Sequence, residues 1–479
     1  MPNFTAGTSF ADGVTNDVTA AKLNALIADA VPTSSLSLNS TTGTIANFSS
    51  STANITNGTI TTLTNGTTTA TAEIITSGTI GNLSTTLVGD FTISQGTATL
   101  ATTGATAGTY GTTSDIPRII VDAKGRITSA STVTAPVGFR NRIINGDMRI
   151  DQRNAGASVS NGSGANAGFV VDRWNLYGSQ ASKLTGQQNA GSVTPPAGFK
   201  NYAGITSSSA YSVLTGDYFS FYHRVEGFNT SDLEWGTANA SSITLSFWVR
   251  SSLTGTFGGA LSNNAFNRSY PFTYTISTAN TWEKKTLTIA GDTTGTWETN
   301  NSIGISVYFG LGAGATYSGT AGAWTGSGLF TSTGATSVVG TSGATFYITG
   351  VQLEAGSTAT DFERRPYGTE LALCQRYLLS IGGTSSVPWA NPQVSGSSSS
   401  SASVYFLVTM RSAPTLSVSG IGFNASDNSL GPVTATISLN AAFEYGATLS
   451  YAHSALTGNA SRALLFSNSS SYLRFSAEL

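Results

Sequence analysis

Three runs in the middle of the chain place apolar side chains at every second position. A strand points alternate residues to opposite faces, so this spacing predicts strands with one buried and one solvated face. Several such strands, separated by turn-rich segments, predict an antiparallel two-sheet sandwich over residues 137–367 and an all-β fold class. The predicted inward positions are Phe219, Phe221, His223 and Val225; Ile243, Leu245, Phe247 and Val249; and Ile303, Ile305, Val307 and Phe309.

The stretch from 345 to 379 changes from strand to helix periodicity. It predicts a closing strand at 346–354 and a helix at 370–378 with Thr369 as its N-cap. The helix would turn Leu371, Cys374, Tyr377 and Leu378 to one face. A change of domain explains the switch, and a separate C-terminal domain is predicted at 368–479. Bringing the two ends of the sandwich together would place Ile143 and Ile144 near Phe346 and Ile348.

Two motifs give the chain a resemblance to a known family. They read RNRIINGDMRIDQRNAG at 140–156 and GVQLEAGSTATDFERRPYGTELALCQRYL at 350–378, with VDRW at 171–174. These phrases resemble a recurrent module of bacteriophage tail fibres and related virion appendages. The resemblance implies a sandwich like the jelly-roll carbohydrate-binding modules, within a homotrimer that touches the host surface. It also implies a protein made in the host cytoplasm and located in the virion.

Residues 34–104 contain no Lys or Arg and few apolar side chains. A single chain of this composition cannot bury a core, and its backbone groups pair most readily with copies of itself. We therefore expect an intertwined trimeric β shaft, with a disordered Ser/Thr linker as the alternative. Its apolar residues would be Ile45, Phe48, Ile55, Ile60, Leu63, Ile74, Ile80 and Leu83.

The remaining segments complete the predicted order of domains. Residues 1–33 contain a short helix at 19–30 whose stripe includes Leu23, Leu26 and Ile27. This helix either docks the protein to the virion, as the resemblance favours, or packs on its neighbours. Residues 105–136 predict a β-hairpin spacer with its turn at 122–125. For the C-terminal domain, strand-like runs at 404–410, 433–439, 463–466 and 472–475 predict a second, distal sandwich.

Composition excludes several classes of function. Only 10% of residues are charged, against about 25% in ordinary soluble proteins. Because phosphate neutralisation needs clustered Lys and Arg, we expect no nucleic-acid partner. No apolar run reaches the length of a membrane span, and the N-terminal residues lack a secretory pattern, so we expect no membrane insertion.

Catalytic signals are weak, and we expect no enzyme activity. His223 lies on a buried strand face, where we interpret it as a hydrogen-bonded core residue. The carboxylate groups near Glu226, Asp147 and Glu354 are interpreted as members of ion pairs. A polysaccharide-degrading tailspike would need two paired carboxylates and is the least favoured alternative.

The resemblance also implies a structural calcium bound by acidic residues of the first and last strands. Gly350 stands where a carboxylate ligand would be expected, so we expect no cofactor. If calcium binds, Asp147 and Asp172 are the candidate ligands.

Host attachment is the expected function. Glycan binding needs flat aromatic rings, and Trp297, Trp324 and Trp389 occur in loop-like contexts, which makes them candidate receptor contacts. The expected partners are the virion, through the N-terminus, and a host-surface glycan or protein, through the C-terminal sandwiches. A purely structural appendage or connector is the alternative.

Overall fold

The computed structural model describes most of the chain beyond residue 90. The described residues are 91–94, 97–100, 102–111, 115–134, 139–163, 168–382, 388–390, 393–394, 399–419, 421–425, 433–434, 436–452, 462–466 and 471–479. The chain divides into two units, Met1–Ala105 and Thr106–Leu479. The one α-helix among these residues is nine residues long, and no described helix has the length and apolarity to cross a membrane.

In the first unit the described residues form one antiparallel hairpin, β1 (Phe91–Ser94) with β2 (Thr97–Leu100). This part of the predicted shaft therefore pairs with its own chain. The predicted helix with Leu23, Leu26 and Ile27, and the apolar shaft positions from Ile45 to Leu83, lie outside the described residues. The trimeric shaft stays a prediction.

The predicted hairpin in residues 105–136 is present. β3 (Asp115–Val121) pairs with β4 (Ile127–Thr134). The amide of Gly125 donates to the carbonyl oxygen of Asp122 at 3.0 Å and closes the turn at the predicted place. Arg126 also forms a 2.9 Å ion pair with Asp122. The role of this hairpin as a spacer stays a prediction.

Residues 159–355 fold into the predicted two-sheet sandwich, which confirms the all-β class. A six-stranded sheet has the order β15-β12-β19-β10-β9-β5, and a seven-stranded sheet has the order β14-β13-β16-β11-β8-β6 with β7 also on β8. Three-residue 3₁₀ turns occur at Ala190–Ser192, Gly227–Asn229, Ser231–Leu233 and Ala315–Tyr317. The strands are β5 (Val159–Ser160), β6 (Gly162–Ser163), β7 (Gly168–Val171), β8 (Trp174–Gly178), β9 (Leu184–Gln188), β10 (Ala203–Ser207), β11 (Tyr218–Glu226), β12 (Ile243–Ser251), β13 (Gly255–Ser262), β14 (Ser269–Ile276), β15 (Glu283–Ile289), β16 (Ile303–Ala313), β17 (Ser318–Gly319), β18 (Thr331–Ser332) and β19 (Thr345–Ala355).

The sandwich core lies between the facing sheets. Phe247 of the six-stranded sheet packs edge-on against Phe309 of the seven-stranded sheet, with ring centroids 5.0 Å apart. The predicted inward positions of β11 and β12 are all buried. In β16, Ile303 does not point into the core as predicted. A register shift pairs it with Glu226 and skips Gly304, which changes the face of the sheet to which its side chain points. Ile303 is only partly buried.

The closing strand β19 is found where the sequence predicts it, extended by one residue at each end. The N-terminal bracket of the domain differs from the prediction. Residues 141–146 do not form a strand but lie beside the C-terminal half of β19. There the amide of Val351 donates to the carbonyl oxygen of Gly146 at 2.9 Å. Ile143 shares the core with Ile348, whereas Ile144 packs with Cys374 and Tyr377.

The predicted helix begins three residues earlier than expected, as α1 (Tyr367–Gln375). The amide of Glu370 donates to the carbonyl oxygen of Pro366 at 3.0 Å and closes the first turn, so Pro366, not Thr369, is the N-cap. Proline suits this place because it has no amide to leave unpaired. Cys374 and Tyr377 are buried as predicted. Leu378 begins the next strand.

The C-terminal residues form three further sheets, ordered β20-β30-β24, β21-β29-β25-β26 and β22-β23-β28-β27. Leu449, Tyr451, Leu473 and Phe475 are buried in a core shared by the first and third of these sheets. The predicted strand at 404–410 is wrong for most of its length, since β23 ends at Tyr405. The strands are β20 (Leu378–Gly382), β21 (Pro388–Ala390), β22 (Gln393–Val394), β23 (Ser399–Tyr405), β24 (Thr415–Ser419), β25 (Ile421–Ala425), β26 (Val433–Thr434), β27 (Thr436–Phe443), β28 (Gly446–Ala452), β29 (Arg462–Phe466) and β30 (Tyr472–Ser476).

Candidate functional site

The outer face of the seven-stranded sheet is rich in tyrosine. In β11 the side chains of Phe219 and Phe221 enter the core, so strand alternation turns Tyr218 and Tyr222 to the outer face. Tyr308 of β16 lies directly opposite Tyr222 in the strand register. The rings of Tyr222 and Tyr308 have centroids 5.4 Å apart. Neighbouring strands thus assemble one aromatic surface.

A cleft of about 230 Å³ opens on this surface. The segment after β16 and the turn after β13 rise beside it and add further rings. We call this site the tyrosine cleft. Its aromatic lining is Tyr177, Tyr218, Tyr222, Tyr308, Tyr317, Phe266 and Phe330.

The rings of the tyrosine cleft hold one another in place. Phe330 stacks on Tyr218 with centroids 4.7 Å apart and meets Tyr308 edge-on at 4.9 Å. Tyr222, Tyr308 and Phe330 are almost fully buried, while Tyr177 and Tyr317 are half-buried. The buried rings therefore form a fixed floor, and the half-buried rings offer the accessible faces. Such pre-organisation reduces the entropy lost on binding a ligand.

Two phenol groups of this cleft, those of Tyr218 and Tyr222, are held in their neutral form by burial. Burial raises the pKa of Tyr222 to about 12 and also raises the pKa of Tyr218. The Tyr218 hydroxyl donates to the Tyr177 hydroxyl at 3.0 Å. A neutral phenol both donates and accepts hydrogen bonds, so the cleft joins apolar ring faces with hydroxyl groups. This combination suits a ligand that has C–H faces and hydroxyl groups of its own.

One end of the tyrosine cleft is polar. The guanidinium of Arg224 lies over the Tyr222 ring, 4.9 Å from its centroid. Asn263 is buried and uses its amide to hold the turn after β13, donating to Asn267 and to the carbonyl oxygen of Thr296. Asn264 is exposed. Among the described lining residues, Arg224 carries the one formal charge.

The tryptophans predicted as receptor contacts lie elsewhere. Trp297 and Trp324 are half-buried and pack edge-on against Trp235, at 4.7 and 5.2 Å between centroids. Trp324 also meets Tyr270 at 5.2 Å. Trp389 belongs to β21, and its side chain lies outside the described residues. Receptor contact by these three residues stays a prediction.

The two candidate calcium ligands have protein partners. Asp147 lies 3.4 Å from Arg149, and Asp172 accepts hydrogen bonds from the amide and side chain of Gln152 at 3.0 and 2.5 Å. Burial raises the pKa of Asp172 to about 6 and also raises the pKa of Asp147. Within the described part of the chain, no three acidic, His or Cys side chains gather as a metal site. Calcium binding by these residues stays untested.

The two motifs that carry the resemblance contact each other, since Arg149 donates to the carbonyl oxygen of Arg365 at 2.6 Å and the Arg173 guanidinium lies over the Tyr377 ring. The ion pairs of Glu226 and Glu478 beside them form what we call the arginine junction, between the sandwich and the C-terminal strands. Arg376 pairs with Glu226 of β11, and the hydroxyl of Tyr377 donates to the same carboxylate at 2.6 Å. Arg153 and Arg173 both pair with Glu478. These motifs join parts of the fold.

The predicted ion pairing is thus observed for Glu226 and Asp147, and in the third group for Glu363, which pairs with Arg365. It is wrong for Glu354, which accepts hydrogen bonds from Gln352 and Thr360 instead.

His223 also has the predicted structural role. It is fully buried and accepts a 3.3 Å hydrogen bond from the amide of Ile144 at Nε2. Burial lowers its pKa well below the usual value, so the ring is neutral.

Comparison with known proteins gives only distant likenesses. No protein-family model and no curated protein matches the sequence. Among solved structures, the enzymatically active domain of bacteriophage CBA120 tailspike protein 4 is 12% identical with a TM-score of 0.24, covering 47% of this chain and 22% of that one. The match therefore spans about a fifth of the tailspike domain's length.

Two further structures match the chain at similar levels. A putative sugar binding protein from Bacteroides thetaiotaomicron is 13% identical with a TM-score of 0.26, covering 45% of this chain and 100% of that one. A family 11 carbohydrate-binding module from Clostridium thermocellum is 12% identical with a TM-score of 0.22, covering 43% of this chain and 100% of that one. Scores of this size establish no function for this chain.

Sequence reasoning missed the tyrosine cleft, although a signal was present. The run YFSFYHRV at 218–225 has Tyr at two positions that the alternation assigns to the outer face. A solvated strand face usually carries polar residues, so two outward tyrosines four residues apart predict an aromatic outer face.

Proposed function

We propose that this protein is a bacteriophage tail fibre, an adhesin that anchors to the virion by residues 1–33 and binds a host-surface glycan. The observation that carries the proposal is the tyrosine cleft, an open and pre-organised aromatic site on the outer face of the sandwich. Sugar rings stack their C–H faces on aromatic rings, while neutral phenols exchange hydrogen bonds with sugar hydroxyls. The two sequence motifs support a place in a virion appendage.

The cleft favours binding over hydrolysis. Glycoside hydrolysis usually requires two carboxyl groups on either side of the scissile bond. Among the described residues, no Asp or Glu lines the tyrosine cleft. We therefore propose a lectin-like function without catalysis. A purely structural appendage is the second candidate, and a polysaccharide-degrading tailspike is the third.

Self-association as a homotrimer belongs to the same proposal. The β3–β4 hairpin leaves apolar side chains of both its faces about half exposed, including Ile116, Ile119, Ile120 and Val121. A two-stranded hairpin alone is marginally stable in water, so other copies of the same chain would cover these side chains. Three identical clefts on one particle would then sum weak contacts by avidity. The mass of the purified protein by sedimentation tests this part.

Glycan binding is tested with the full chain on an array of bacterial surface glycans, followed by titration calorimetry of the best ligand. Tyr317→Ala removes a half-buried ring of the cleft and is expected to weaken binding about tenfold. Tyr270→Ala is the matched control, because Tyr270 is also half-buried but packs on Trp324 outside the cleft. We expect it to bind like the wild type.

Three results would contradict this proposal. Equal losses in the Tyr317 and Tyr270 variants would move the binding site away from the cleft. Absence of glycan binding by the folded full chain would favour the structural appendage. Release of new reducing ends from host polysaccharide would favour the tailspike.

A further inference from the structure

The charge at the polar end of the tyrosine cleft indicates which glycans would fit. Arg224 follows Tyr222 by two residues on β11 and therefore lies on the same outer face. Its Nη1 donates to the main-chain oxygen of Leu479 at 2.7 Å, and its guanidinium packs over the Tyr222 ring. These contacts fix the position of the cation before any ligand arrives.

The surroundings of Arg224 are rich in positive charge. The segment 477–479 is hydrogen-bonded by Arg153, Arg173, Arg224 and Arg411, and Glu478 is its one acidic side chain. Glu478 is matched by two of these arginines, Arg153 and Arg173. The next carboxylate on β11, Glu226, is matched by Arg376. Among the described residues, no Asp or Glu side chain forms an ion pair with Arg224, and its Nη2 makes no hydrogen bond.

We propose that the tyrosine cleft takes an anionic glycan, in which one sugar carries a carboxylate or phosphate group that pairs with Arg224. This inference rests on the proposed glycan-binding function. The sugar ring would lie on the half-buried tyrosines, and its acidic group would accept hydrogen bonds from the guanidinium. Charge-assisted hydrogen bonds of this kind are shorter and stronger than neutral ones. Among the described residues no acidic side chain lines the cleft, and the charge of the nearby Glu478 is matched by Arg153 and Arg173, which reduces its repulsion of an anionic ligand.

The test compares three matched oligosaccharides on the full chain: one with a uronic acid, one with a sugar phosphate, and the neutral parent. We expect the protein to bind one of the acidic ligands at least about tenfold more tightly than the neutral parent. The comparison of the two acids identifies the source of the charge. Raising the salt from about 50 mM to about 500 mM is expected to reduce this preference, because ions screen the pairing.

Arg224→Gln removes the cation and is expected to abolish the preference, so that the variant binds the acidic ligand and the neutral parent with equal affinity. Arg224→Lys keeps the charge and is expected to retain part of the preference, since Lys lacks the planar fork of Arg. Arg250→Gln is the matched control, because Arg250 lies over Tyr347, 5.4 Å from its centroid, on the other sheet. Circular dichroism melts confirm that each variant is folded at the titration temperature.

The outcomes separate this inference from the proposed function. Equal affinity for neutral and acidic ligands, with loss of both in Tyr317→Ala, would overturn the inference and keep the glycan-binding proposal. An acid preference that survives Arg224→Gln, or is lost equally in Arg250→Gln, would also overturn it. If the folded full chain bound neither the array glycans nor any of the three oligosaccharides, both would fail.

Discussion

Arg376 forms a bidentate ion pair with Glu226, with Nη2 2.6 Å from Oε1 and Nε 2.9 Å from Oε2. Glu226 ends β11 of the sandwich, and Arg376 follows the last residue of α1. The two residues are 150 positions apart in the sequence. The Glu226 side chain is 1% exposed and that of Arg376 is 28% exposed, so the carboxylate of this pair is shielded from water. It fixes the C-terminal strands to the same sheet that forms the tyrosine cleft.

Neutralising Glu226 is therefore expected to weaken the whole junction. Glu226→Gln leaves Arg376 without its charge partner and should lower the free energy of unfolding by about 3 kcal/mol, as for other buried pairs broken on one side. Urea unfolding of the full chain measures this change. Asp232→Asn is the control, because the Arg142–Asp232 pair has Asp232 64% exposed and should contribute less than about 1 kcal/mol. Equal effects of the two substitutions would contradict a special role for the junction.

Asp172 gives a pH-dependent prediction. Burial raises its pKa to about 6, above its value in the unfolded chain. The folded chain thus holds this proton more tightly, so the carboxyl group stabilises the fold fully below about pH 4 and loses that contribution as the pH rises through 6. Asp172→Asn cannot ionise. We expect the stability of the variant relative to the wild type to rise by about 3 kcal/mol between pH 4 and pH 7.

The measurement is the difference in unfolding free energy between the two proteins at each pH. Taking the difference removes the opposite effect of carboxylates such as Asp292, whose pKa is held low despite its burial by hydrogen bonds from Arg268 and Thr294. A difference that stays flat with pH would show that the pKa of Asp172 in the folded chain is not above its value in the unfolded chain.

Gly350 is predicted to be irreplaceable. It has a φ of +61° at a bulge in β19, and a Cβ there would lie 2.6 Å from Cζ of Phe199. Gly350→Ala should therefore add a steric clash to the conformational cost of about 1 kcal/mol. Gly343→Ala, at φ +73° with no atom near the added Cβ, should show the conformational cost alone. Thermal melts compare the two, and an equally small loss in both would show that Phe199 moves aside easily.

Trp324 is expected to act through packing. Its ring meets Trp235, Trp297 and Tyr270, and its indole Nε1 donates to the carbonyl oxygen of Ala290 at 2.8 Å. Trp324→Ala should lower the free energy of unfolding by about 2 kcal/mol. Equilibrium unfolding monitored by tryptophan fluorescence measures this change. Unchanged stability with lost glycan binding would instead support the receptor contact predicted from the sequence.

The sequence by itself determined the class of fold and the inward faces of the main strands. Alternation in β11 and β12 is a local property of a strand with one buried side, so Phe219, Phe221, Leu245 and Phe247 could be assigned to the core without any knowledge of their partners. The ends of the helix were predicted less accurately than the strand faces. α1 begins three residues before the predicted start, at the hydrogen bond between Glu370 and Pro366, because helix ends depend on individual hydrogen bonds.

Tertiary structure alone decided where binding chemistry gathers. Tyr222 and Tyr308 become neighbours through the register of β11 and β16, and Phe330 joins them because a later segment crosses the sheet. Alternation in β11 places Arg224 on the same face as Tyr222, but the main-chain oxygen of Leu479 that holds its guanidinium comes from a distant part of the chain. Such neighbourhoods arise from pairings between distant parts of the chain, and a periodic pattern in the sequence does not specify them.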